Sequence, residues 1–155
     1  MAIEHVNIAD ADRHEPKGAD SATVGQVYQS DGSGSGSWVT LDVVSYLDVV
    51  IEDVSTASSV LIPIPANCVV NSIKSVLGGP ITVGDATITL TRGGDGLSLG
   101  TLVVANSGSA EGDVDVNTSL SNNNVSEGTN KFLKIATDGG STDAAKLFVQ
   151  IKVTI

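Results

Sequence analysis

From about residue 41 to Ile155, apolar side chains recur at every second position, in short runs separated by turn residues. A period of two is that of a half-buried β-strand. In "SYLDVVIEDV" the residues Leu47, Val49 and Ile51 share a face. "SVLIPIP" is a short run that Pro63 and Pro65 confine to a sheet edge or a strand end, since proline gives no N–H to a ladder. "NCVVNSIKSVL" sets Val70, Ser72 and Lys74 against Val69, Asn71 and Ile73; the alternation is imperfect, but its β-branched content makes it a strand. "DATITLTRGGDG" is the most regular stretch, with Ala86, Ile88 and Leu90 on one side and three threonines on the other. "LGTLVVA" is a further short strand. "GDVDVNTSL" places Val114 and Val116 on one face and Asp113, Asp115 and Asn117 on the other, which is expected to be solvated. "KFLKIAT" sets Phe132 and Lys134 against Leu133 and Ile135, a pattern that allows cover on both faces. "AKLFVQIKVTI" closes the series with Leu147, Val149, Ile151 and Val153 aligned.

"GGP", "GGDG", "SNNN" and "DGGST" supply the turns between these runs. About eight strands spaced in this way predict an all-β fold: an antiparallel, jelly-roll-like β-sandwich. No helix is expected. "TLDVVSYLDVVIEDV" can be laid out at helical spacing, but its crowding of β-branched residues favours a strand.

The first forty residues differ. Gly, Ser, Ala, Asp and Thr dominate, with isolated Val24, Val27 and Tyr28, and neither period is present. Residues 1–40 therefore read as an extended N-terminal docking arm, and 41–155 as the β-sandwich domain that carries it. The run "SDGSGSGS" has the composition of a flexible tether. The chain's one tryptophan, Trp38, follows it and admits two readings: an anchor in an interface, or a plug at the end of the β core.

Composition narrows the function. Aromatic residues are only 3% of the chain, so the core must be built from Val, Ile, Leu and Ala. A net charge of -10 disfavours binding to phosphate backbones or anionic membranes, so neither nucleic acid nor membrane is an expected partner. The lone cysteine, Cys68, lies in an apolar run and reads as a small core residue in a reducing setting. No signal peptide and no membrane-spanning run are evident, and a soluble protein is expected.

Candidate chemistry is sparse. His5 and His14 are the two histidines, both in the polar arm, where nothing would fix a tautomer for a hydrolytic triad. "HEPK" lacks the two-histidine helical spacing of a zinc protease, and two histidines with one cysteine cannot close a zinc site. Asp113, Asp115 and Asn117, with Asp95 elsewhere, are the best calcium candidates, but alternate residues of an extended strand stand too far apart to chelate one ion. "DGSGSGSW" lacks the Lys-Ser/Thr ending of a phosphate loop. Distant carboxylate pairs of the glycosidase kind stay open, although Tyr46, Phe132 and Phe148 give the β domain few aromatic platforms for sugar. The expectation is a protein that is not an enzyme and uses no metal or cofactor.

One stretch is more specific. "HEPKGADSATVGQVYQSDGSGSGSW" carries His14, Glu15, Pro16, Lys17 and Gly18, then Gly25, Val27 and Tyr28, then Asp31, Gly32, Gly34, Ser35, Gly36 and Trp38. It resembles a segment near the N-terminus of structural proteins of tailed bacteriophages, namely head decoration (cement) proteins and head-fibre proteins. The resemblance implies a virion component, made in the host cytoplasm and placed on the outer capsid surface. Its partners would be the major capsid protein and itself, as a homotrimer. His14, Glu15, Pro16, Lys17, Gly18, Tyr28 and Trp38 would be the residues that bind capsid or trimer. The alternative within the same resemblance is a fibre component that binds a host receptor or carbohydrate. A last strand that stays apolar to Ile155 adds a motive for self-association, since an unpaired edge of that kind needs cover.

Overall fold

The computed structural model describes residues 21–33 and 35–155. The chain divides into two compact units, Met1–Asp42 and Val43–Ile155. In the first, β1 (Gln26–Ser30) and β2 (Gly36–Thr40) form an antiparallel hairpin.

The second unit holds nine strands, one more than the sequence pattern suggests, because a two-residue pairing is too short to leave a period. They are β3 (Val44–Ile51), β4 (Ser58–Pro63), β5 (Cys68–Leu77), β6 (Ala86–Arg92), β7 (Ser98–Val104), β8 (Val114–Asn117), β9 (Asn124–Val125), β10 (Phe132–Thr137) and β11 (Leu147–Thr154). One sheet runs β4-β10-β6-β7; the other runs β3-β11-β5-β8, with β9 also on β5. Every pairing is antiparallel. Ile51, Ile73, Leu77, Leu147 and Ile151 of the second sheet join Ile88, Leu90, Leu102, Leu133 and Ile135 of the first in one buried cluster. The unit is an antiparallel β-sandwich whose core is aliphatic. Burying each such side chain contributes about 1.5–3 kcal/mol against the entropy of ordering the strands.

Regular alternation produces regular strands. In β6 Ala86, Ile88 and Leu90 are fully buried, as their spacing requires. Pro63 ends β4, an edge strand, where its missing N–H costs no ladder bond. The broken alternation of β5 is a β-bulge. Lys152 pairs with Ser72 and Val153 with Val70, so Asn71 is an extra residue and the phase shifts by one. Val70 and Ile73, three apart, therefore both point inward, and the Thr154 hydroxyl donates to Asn71 Oδ1 at 2.9 Å. A second bulge, between the pairs Leu90–Gly100 and Thr91–Ser98, buries Leu99 and Leu102 in the same way.

Four expectations need correction. Val114 and Val116 are about half exposed, and Asp115 and Asn117 take the inward side of β8. Hydrophobic alternation sets a period and leaves open which face is inside. In β10 Leu133, Ile135 and Thr137 are buried on one face; Lys134 is exposed, and Phe132 covers Gly93, where an added Cβ would lie 2.4 Å from the ring. The closing strand is not an edge at all: β11 sits between β3 and β5, and Val43 and Ile155 exchange both backbone bonds, at 3.2 and 2.9 Å. Finally, one helical turn is present, α1 (Glu127–Asn130), closed by Asn130 N–H to Ser126 O and by Ser126 N–H to Asn130 Oδ1.

Candidate functional site

The two halves of the N-terminal motif meet in the hairpin. The register sets Tyr28 directly opposite Trp38, with Val27 opposite Val39 on the other face. The two rings pack edge to face, with centroids 5.5 Å apart and planes at 66°. Such a pair adds roughly 0.5–1.5 kcal/mol beyond area burial. Both rings are half-buried, so each keeps surface available to a partner.

The glycine-serine run that reads as a tether is the turn of this hairpin. Ser30 pairs with Gly36, and the five residues 31–35 close the loop. The Asp31 N–H donates to Ser35 O at 2.9 Å. Asp31 Oδ1 accepts from the Ser33 and Ser35 N–H groups at 2.7 and 3.0 Å, the Asx-turn behaviour that suits aspartate to this position. These bonds, Ser33 first, hold the Asp31 carboxyl below the usual aspartate range. Composition misleads here because the same small residues make tight turns and loose linkers. The discriminating signal is symmetry: Tyr28 and Trp38 stand five residues on either side of Ser33.

His14, Glu15, Pro16, Lys17 and Gly18, like His5, lie outside the described residues. Of the proposed binding set, the structure therefore brings together Tyr28 and Trp38. Trp38 belongs to the hairpin unit.

Cys68 is buried in β5, and burial pushes its thiol upward, away from the reactive thiolate. The calcium candidates separate: Asp95 pairs with Arg92, Asp113 accepts from the Ala110 N–H at 2.7 Å, and the Asn117 amide donates to Thr101 O at 2.7 Å. Among the described residues no three His, Cys, Asp or Glu side chains gather as a metal-binding group. Arg92 also donates to the carbonyls of Asn122 and Asn124, at 3.3 and 2.9 Å, and so ties the β8–β9 connection to β6. No helix among the described residues is long and apolar enough to cross a membrane.

No protein-family model matches the chain, and no curated protein matches it significantly. Among solved structures, a chain of the cyanophage Pam1 capsid asymmetric unit is similar: 16% identical, covering 74% of this chain and 84% of that one, with a TM-score of 0.44. At that score the likeness fixes neither a shared fold nor a family.

Proposed function

We propose that this protein is a non-enzymatic structural component of a tailed-bacteriophage virion that binds the outer surface of the major capsid protein and stabilises the shell. The observation that carries the reading is the motif "GQVYQSDGSGSGSW", whose two halves close into one hairpin with Tyr28 and Trp38 packed together. A two-stranded hairpin is marginal on its own in water, so a partner surface would complete it. Tyr and Trp are the residue types that most often dominate interface energetics. The sandwich is compatible with the same role, since its buried core cluster is built of aliphatic side chains with one buried cysteine. A ligand that binds only the assembled shell stabilises it by mass action. The homotrimer implied by the resemblance now rests on that resemblance alone, because β11 is no longer an edge needing cover.

The test is sedimentation of the full chain with capsids of its phage. The protein should travel with the capsids and raise their melting temperature. Trp38→Ala should weaken that binding by about 2 kcal/mol while the sandwich melts unchanged. A protein that ignores capsids but binds host cells or glycans would favour the fibre alternative.

A further inference from the structure

The outward face of the β3-β11-β5-β8 sheet is unusually apolar for this chain. Read across the strands, one row is Val50, Phe148, Val76 and Val114. Phe148 is 49% exposed and Val114 51%. The next row is Asp48, Gln150, Lys74 and Val116. The β3, β11 and β5 members of these two rows line a shallow groove around Phe148. The charges are also uneven. The molecule carries -10 overall, yet this face offers Lys74 and Lys152 against Asp48. Among the described residues, the ion pairs are Arg92–Asp95 and Lys146–Glu52, and neither Asp48 nor Lys74 is in one. Asp48 accepts only an amide bond from Gln150 Nε2, at 2.9 Å.

The pattern is self-complementary about β11. Turned by a two-fold axis along that strand, a second copy would set Phe148 on Phe148 and Gln150 on Gln150. Val50 would meet Val76, and Asp48 would meet Lys74, each contact occurring twice. We propose that this sheet face is a contact between two copies of the chain, related by a two-fold axis along β11. Isologous contacts of this kind are the commonest route to symmetric assembly. Two strongly anionic molecules repel, so they should meet where the local charge is not negative. One row further along, Lys152 would approach its own copy; the twist of each sheet swings successive rows apart, so the contact centres on the Phe148 and Gln150 rows. The inference does not depend on capsid binding.

The test is sedimentation equilibrium of the full chain without capsids, at concentrations on the order of 1 to 100 µM. The wild type should approach twice the mass of Phe148→Asp, whose half-exposed position lets the variant fold; its melting curve checks this. Asp48→Lys and Lys74→Asp should each weaken association by about tenfold or more, and the double swap should restore it. Equal masses for wild type and Phe148→Asp overturn the proposal, as does a double swap no better than either single change. So does loss of capsid binding by Phe148→Asp without a change of mass, which would assign the face to the capsid. A three-fold mass indifferent to all four variants would also overturn it while leaving the trimer intact.

Discussion

A methyl group added to Gly36 would lie 2.2 Å from the Gln29 carbonyl oxygen and 2.9 Å from the Tyr28 ring. Gly36→Ala should therefore open the hairpin and separate Tyr28 from Trp38, which tryptophan fluorescence would report; an unchanged spectrum would refute the close approach. At the β5–β8 seam, two polar groups work against the fold. Ser75 is 1% exposed and its hydroxyl has no hydrogen-bond partner among the described residues. Ser75→Ala should raise stability by about 1 kcal/mol in urea unfolding. Its cross-strand partner, Asp115, has its carboxyl held above the ordinary range, first by burial and then by the nearby charge of Asp113. A raised carboxyl pKa means that the ionised form is disfavoured in the fold. That penalty is present at neutral pH and disappears as pH falls below the unfolded value of about 3.9. Asp115→Asn should accordingly raise the melting temperature at pH 7 and leave it nearly unchanged at pH 3.

Strand by strand, what the sequence discloses depends on whether the pleat is interrupted. β6 is legible because nothing breaks its period between Ala86 and Leu90. β5 resists because the bulge at Asn71 depends on its partner β11, and a pairing partner leaves no mark on the run itself. β8 misleads for a different reason: its valines alternate correctly but face outward, while Asp115 and Asn117 fill the seam beside β5. The β8 assignment has a direct check. Replacing Val114 and Val116 together with threonine should change stability by less than about 1 kcal/mol, whereas Ile73→Ala, at a fully buried site, should cost about 3–5 kcal/mol. Connecting loops give the acid response. Asp53 is lowered first by the Ser55 hydroxyl, Asp95 first by Arg92, and Asp143 first by the Thr82 N–H. Depressed carboxylates stabilise the fold above the unfolded value of about 3.9, and that contribution is lost as pH falls through their lower folded values. The onset of acid unfolding should thus lie below about pH 4; loss of structure near pH 5 would contradict it.

On the scale of the whole molecule, the division at Asp42–Val43 implies two units of very different robustness. A chain beginning at Val43 should keep the melting temperature of the full protein to within a few degrees and lose the capsid binding proposed for the full chain. Unfolding of that fragment would show that the first unit contributes to the core. The aliphatic sandwich was readable from composition and alternation, but the joining of Tyr28 to Trp38 was not, because it depends on a turn whose residues also suit a linker. The position of β11 has a further consequence for how the protein is made. Its partner β3 is synthesised about a hundred residues earlier, and at typical elongation rates it waits roughly 5–20 s before β11 leaves the ribosome. During that interval the nascent chain exposes two facing strand edges, on β3 and β5, each ready to pair with a neighbour on the same polysome. Slower translation past residue 77 would lengthen that exposure, so yield in the producing cell should depend on elongation speed and chaperone supply more than on the stability of the finished fold.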